Sequence, residues 1–212
     1  MAETRPPDPL TVFVVDDDPA VRDSLALMLG LEGFRVSLFA DAEDFLRAWR
    51  EEWAGCVVAD LRLPGRSGIE LQAELQGRGS ALPFVIVTAH GDVPTARTAF
   101  RAQAVDFLEK PFDHGQLRRA IETAFGLEER RIVREQTRGR DAAVLATLTP
   151  REREVLEHAA RGLHAREIAE TLGISPRTVE VHKAHIMAKL NVRNVAEMVR
   201  FALAGGSEPD SD

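Results

Sequence analysis

The sequence predicts an α/β fold, a five-stranded doubly wound parallel sheet, followed by a small all-α module of four helices. Three observations carry this. Short apolar runs alternate with stretches of helical periodicity over residues 10–125, helix signals without any strand pattern fill residues 148–204, and the charge balance changes between the two. Residues 10–125 hold 12 Lys+Arg against 18 Asp+Glu, whereas residues 148–204 hold 9 against 7. The whole chain of 212 residues carries a net charge of −7, which taken alone argues against a nucleic-acid partner. The split matters more, because it sets an acidic module beside a mildly basic one.

The strands are read from VFVV (12–15), VSLF (36–39), CVVA (56–59), FVIV (84–87) and VDFL (105–108). Runs this apolar suit a parallel sheet covered on both faces. The segments between them have helical spacing: Val21, Leu25 and Leu29 precede Gly30 and Gly33, and Leu117, Ile121 and Phe125 close the set. Five strands and five helices are expected. Asp18-Pro19 reads as an N-cap followed by proline in the first turn, so Asp18 is assigned to helix capping. Residues 126–147 are charge-dense and are expected to form a helical linker that extends the last helix. Residues 205–212 form an acidic tail, expected to be disordered.

In the second module, Thr149-Pro150-Arg151-Glu152 has the pattern of a capping box with proline at the first helical position. Val155, Leu156 and Ala159 supply its apolar face up to Gly162. A short helix with Ile168, Ala169 and Leu172 ends at Gly173. Ser175-Pro176 opens a helix to about Leu190, and Val195, Met198, Val199 and Phe201 mark the last one. On a wheel of about 100° per residue, Val179, Ile186 and Leu190 form the core stripe of the third helix. Its opposite side carries Arg177, Val181, Ala184 and Ala188, with Glu180 and His185 at the edges. Solvated faces are normally rich in long charged residues, whereas small residues beside an arginine suit a surface that enters the DNA major groove. A helix, a tight turn and a second, exposed helix make a helix-turn-helix; a helical protein-interaction module is the alternative. His182 and His185 lack a third metal ligand, so phosphate contact or surface placement is the better reading.

Composition excludes several classes. Cys56 is the one cysteine, so no internal disulfide and no cysteine-based zinc cage can form, and a reducing, cytoplasmic setting is expected. No stretch reaches the ~18 apolar residues of a membrane span. MAETRPPDPL has no apolar core, so no secretory signal is expected.

The residues at the strand ends carry the chemistry. Asp16 and Asp17 follow the first strand, Asp60 the third, Thr88 the fourth and Lys110 the fifth. Carboxyl ends of parallel strands share one edge, where ligands bind in doubly wound sheets. Crowded carboxylates call for a hard cation, and Mg2+ prefers oxygen ligands. A central carboxylate can attack a phosphoryl group to form an acyl phosphate, with Lys110 and Thr88 meeting the phosphoryl oxygens. Asp60 is the best nucleophile, being single, central and followed by the turn-rich LRLPGRSG.

VVDDDPAVRDSLALML, VVADLRLPGRSG, VIVTAHGDVPTA and AVDFLEKPF resemble the receiver domain of two-component response regulators, particularly the FixJ-like branch. The resemblance spans residues 10–125 and implies a CheY/flavodoxin-like fold. It implies Asp60 as phosphoacceptor, with Mg2+ held by Asp16, Asp17, Asp60 and the backbone carbonyl of Arg62. It further implies Thr88 and Lys110 as the phosphate-sensing pair, Phe107 as the switch aromatic, and a cis Lys110-Pro111 peptide. The chain has no tyrosine, so Phe107 must act through packing alone. LTPREREVLEHAARGLHAREIAETLGISPRTVEVHKAHIMAKLNVRN resembles the LuxR-type helix-turn-helix. That resemblance places Arg177, Glu180, Val181 and Ala184 toward bases, and Arg166, Thr178, His182 and Lys183 near phosphates. Lys183 lies near the core edge of the wheel and would have to snorkel outward. His164-Ala165-Arg166 stands where the family commonly has Asn-Lys.

Together the resemblances imply a response regulator that regulates transcription. Its expected partners are a sensor histidine kinase, double-stranded promoter DNA, RNA polymerase and, on phosphorylation, a second copy of the chain; no membrane partner is expected. Two alternatives stand beside this. VVDDD also fits the entry motif of haloacid-dehalogenase-type phosphohydrolases, with Asp16 as nucleophile and Asp18 as acid/base, but Gly91-Asp92 lacks the second carboxylate that chemistry needs. A phosphorylation-driven adaptor whose helical module binds protein is the other.

Overall fold

The computed structural model describes residues 10–89, 97, 99 and 101–205. It divides into two compact units, residues 1–131 and 132–212. The fourth helix expected in the first unit falls mainly within 90–100, outside the described residues, as do 206–212 of the acidic tail.

The first unit runs β1 (Thr11–Val15), α1 (Pro19–Leu31), β2 (Arg35–Phe39), α2 (Ala42–Ala48), β3 (Gly55–Asp60), α3 (Gly68–Gly77), β4 (Phe84–Thr88) and β5 (Asp106–Glu109). It ends in the first part of α4 (His114–Ala146). The strands are all parallel in the order β2-β1-β3-β4-β5. Alternation along the strands divides the core in two. Phe13, Val15, Val57, Ala59, Phe84 and Ile86 point to the face covered by Phe45, Leu71 and Leu75 of α2 and α3. Val12, Val14, Cys56, Val58, Val85 and Val87 point to the face covered by Leu25 and Leu29 of α1 and Leu117 and Ile121 of α4. Runs buried on both sides explain why these strands read as unbroken apolar sequence. β2 differs: it lies at the sheet edge and is half-exposed, which accounts for its Ser37.

Capping fixes where several helices begin. The Asp18 carboxylate accepts from Ala20 N at 2.8 Å, the capping role expected of it. Ser67 and Glu70 form a reciprocal capping box at the start of α3. α4 is one continuous helix from His114 to Ala146 and includes the charge-dense segment 126–146.

The second unit packs α5 (Pro150–Ala160), α6 (Ala165–Leu172), α7 (Pro176–Leu190) and α8 (Val195–Gly205) around Val155, Leu156, Ile168, Val179, Ile186 and Met198. Gly173 closes α6 in the left-handed conformation, φ 65°, and lets the chain turn tightly into Ser175, the N-cap of α7. Glu152 ties two of these helices together. It is 4% exposed, its Oε2 accepts from Thr149 N at 2.7 Å to complete the α5 capping box, and the same oxygen accepts from Lys189 Nζ of α7 at 2.6 Å. Burial opposes its charge, but the Lys189 and Thr149 hydrogen bonds outweigh burial and bring its carboxyl pKa to about 2. A carboxyl depressed in the folded state stabilises above its ordinary value of 4.5, and that contribution drains away as pH falls toward 2. Glu152→Gln should therefore lower the protection of α5 amides against hydrogen exchange at pH 7, by about 1–2 kcal/mol for a lost charged cap and ion pair. The gap to wild type should narrow by pH 3. An equal gap at both pH values would contradict the assignment.

Candidate functional site

The strand order reverses between β1 and β3, which puts Asp16, just past the end of β1, beside Asp60, the last residue of β3. Both are buried, at 1% and 8% exposure. Lys110 follows β5, and its backbone N–H donates to Thr88 O at 2.6 Å, extending the β4–β5 pairing by one residue. The next peptide, Lys110-Pro111, is cis. From there the Lys110 ammonium donates to Asp16 Oδ2 at 2.6 Å and to Asp60 Oδ2 at 2.5 Å. Burial works against that ammonium, and the two carboxylates more than reverse it, holding its pKa above the usual lysine value.

The other carboxylate oxygens are held by backbone. Asp16 Oδ1 accepts from Asp18 N at 3.0 Å, and Asp60 Oδ1 accepts from Arg62 N at 2.8 Å. Thr88, the last residue of β4, is fully buried. Phe107 is partly buried and packs against the α2/α3-side core. Asp17 and Arg62 are exposed.

The structure brings the side chains of Asp16, Asp60 and Lys110 into direct contact, Thr88 ends the strand beside that of Asp60, and Asp17, next to Asp16, is exposed. Among the described residues no three His, Cys, Asp or Glu side chains are grouped closely enough to hold a metal ion. The donor set nevertheless suits a hard cation: its carboxylates offer only oxygen, and one ammonium offsets only one of the two buried negative charges.

Two residues that the sequence reading left without a role belong to this site. Arg22 of α1 donates from Nη1 to the backbone carbonyl of Asp16 at 2.6 Å. Gly68 backs directly onto Asp60: a Cβ there would lie 2.5 Å from Asp60 O. Helical spacing alone could not flag Arg22, because its target is a backbone atom of a different element. Gly68 stood inside a quoted motif, yet its closeness to Asp60 is a tertiary fact. Asp18, the acid/base of the hydrolase alternative, is engaged as the α1 cap, and Gly91-Asp92 lie outside the described residues.

In the second unit, α7 buries Val179, Ile186 and Leu190, as the wheel predicts. Arg177, Thr178, Glu180, Val181, Ala184, His185 and Ala188 are exposed, Val181 at 47%, and Arg166 is exposed on α6. His182 is half-buried. Lys183 is buried, and its Nζ donates to Glu180 Oε1 at 3.2 Å. The exposed face thus carries short apolar groups flanked by polar ones, a relief that can approach base edges.

A lysine-bridged carboxylate pair at the switch point of a doubly wound sheet, joined in one chain to a helix-turn-helix, defines a two-module signalling regulator. Residues 12–122 match the response regulator receiver domain, and residues 146–202 match the luxR family of bacterial regulatory proteins. The chain belongs to the response regulator family, as a FixJ-type member with a receiver and a LuxR-type DNA-binding domain that regulates transcription. It is 43% identical to the transcriptional regulatory protein FixJ of Azorhizobium caulinodans, over 97% of this chain and 98% of that protein. The FixJ of Bradyrhizobium diazoefficiens is 45% identical over 92% and 95%. Among solved structures, the response regulator StyR superposes with a TM-score of 0.81 at 43% identity, covering 92% of this chain and 99% of that one. Among the described residues no helix is long and apolar enough to cross a membrane.

Proposed function

We propose that Asp60 takes a phosphoryl group from a phosphohistidine of a sensor histidine kinase and that this modification controls promoter binding. The observation that carries the reading is the Lys110 ammonium bridging the Asp16 and Asp60 carboxylates. In the step, an Asp60 carboxylate oxygen forms a bond to phosphorus as the phosphorus–nitrogen bond of the donor breaks, and the imidazole nitrogen keeps the electron pair. The Lys110 ammonium meets phosphoryl charge and the Thr88 hydroxyl donates to a phosphoryl oxygen. Asp16, Asp17, Asp60 and the carbonyl of Arg62 would hold Mg2+, which when bound offsets the charge of the carboxylates and the phosphoryl group. Phe107 then repacks against its neighbours, and the face bearing β5 and α4 becomes the contact between two copies.

Residues 10–125 act as the receiver, 126–147 as a helical linker and 148–204 as the DNA-binding domain. Arg177, Glu180, Val181 and Ala184 face base edges, while Arg166, Thr178, His182 and Lys183 lie toward phosphates. Paired half-sites suit a dimer, since one mildly basic domain gains little from phosphates alone. RNA polymerase is the further partner, and the setting is cytoplasmic.

The test is incubation of the full chain with acetyl phosphate. Intact mass should rise by one phosphoryl group only when Mg2+ is present, and hydroxylamine should remove it, as expected of an acyl phosphate. No gain, or a gain that resists hydroxylamine, would overturn the reading. On promoter DNA, Arg177→Ala should weaken binding by about 1–3 kcal/mol and relax preference at one base position of each half-site. A uniform loss across sequences would instead place Arg177 on the backbone.

A further inference from the structure

α7 carries a charged pair whose placement stability does not explain. Lys183 is 7% exposed and shares its burial with Val179, Ile186 and Leu190, whereas the side chain of Glu180, one helical turn earlier, is 61% exposed. The Lys183 ammonium donates to Glu180 Oε1 at 3.2 Å. A lysine is almost never this buried unless paired, and an apolar side chain of similar volume at such a site is often as stable or more so. Methionine could pack the same space, since it too has an unbranched stem. What lysine alone adds there is a positive charge fixed beside Glu180.

We infer that Lys183 is a positioning residue for base recognition: its ammonium aims the Glu180 carboxylate at the major-groove edge of a cytosine, and so sets one base preference of the operator. The inference rests on the base-facing assignment of Glu180 proposed above. A carboxylate can only accept, and the N4 amine of cytosine is the usual donor to glutamate in the major groove. With Oε1 engaged by Lys183, Oε2 is the oxygen that accepts from this amine. Two effects oppose bringing a carboxylate into the groove: the phosphates repel it, and a flexible side chain must be ordered. The paired ammonium reduces both, because it offsets the charge and restricts the Glu180 side chain before DNA arrives. Although Lys183 lies toward the phosphate side, its charge acts through Glu180, while Arg166 and Thr178 stand exposed for the phosphates themselves.

The test is selection of binding sites from a randomised pool of DNA duplexes by the full chain with Mg2+ and acetyl phosphate. Wild type, Lys183→Met, Glu180→Gln and the double variant are compared. Wild type should prefer cytosine at one position of each half-site, and each single variant should lower that preference by about tenfold. The double variant should lower it no further than Glu180→Gln alone, because Lys183 acts only through Glu180. Should Lys183→Met fail to fold, Lys183→Gln decides, since it removes the charge and keeps a polar end. An unchanged preference in the lysine variant beside a lost one in Glu180→Gln would overturn the inference and leave Glu180 as a base reader. A loss of affinity in the lysine variant that is equal for all four bases would make Lys183 a phosphate contact and overturn it as well. An unchanged preference in Glu180→Gln, or a wild type that enriches no sequence, would overturn the base-facing assignment itself and this inference with it.

Discussion

Asp60→Asn is expected to leave the protein folded and unable to be switched. In wild type with Mg2+ and beryllofluoride, an acyl-phosphate mimic, light scattering should give about twice the 23.4 kDa of one chain. The variant should stay at the mass of one chain, and its phosphoryl incorporation should fall by at least about a thousandfold, because an amide is no nucleophile toward phosphorus. The fold should survive, since Lys110 keeps its bond to Asp16 and the carboxamide oxygen of the variant side chain can still accept from Arg62 N. Mimic-dependent dimerisation in the variant would place the phosphoacceptor elsewhere. An unchanged mass in wild type would mean that phosphorylation acts without a dimer.

Gly68→Ala should be nearly as damaging, although it touches no charged group. The added methyl would sit 2.5 Å from Asp60 O and 3.3 Å from Ala59 Cβ. Both belong to the buried end of β3, so β3 must shift or α3 must start elsewhere. Overpacking of this kind costs about 1–3 kcal/mol of stability. The functional loss should be larger than that figure suggests, because Asp60 itself is displaced: phosphoryl incorporation should drop at least about tenfold under conditions where the protein remains folded. Gly77→Ala, at the far end of the same helix with no atom within 4 Å of the new methyl, is the control. It should stay within about 1 kcal/mol of wild type. Full incorporation in Gly68→Ala would show that the close approach to Asp60 is not needed for its placement.

Much of this was legible before any coordinate. The apolar runs VFVV, CVVA and FVIV could only be strands covered on both faces, and each lies in the sheet interior. Asp18-Pro19, Thr149-Pro150 and Ser175-Pro176 announced three helix starts through local capping chemistry, and all three form. The faces of α7 followed from a 3.6-residue period. These features are set by neighbours within a few residues, so sequence carries them completely.

The site was legible in type and only partly in geometry. Strand ends told which residues share an edge, but not that Asp16 and Asp60 both turn onto Lys110. That outcome depends on the pleat at the end of β1 and on how far Lys110 reaches across from β5, 94 residues from Asp16 in sequence. Gly68 and Arg22 gave no decisive local signal, since what makes each informative is a backbone atom from another part of the chain. Sequence alone thus determined the two modules, their elements and the chemical identity of the acidic pocket, because periodicity, capping and strand-end position are short-range properties. Only the tertiary structure decided which carboxylates face the lysine and which glycine supports Asp60, because those depend on distances between atoms that the chain order does not constrain.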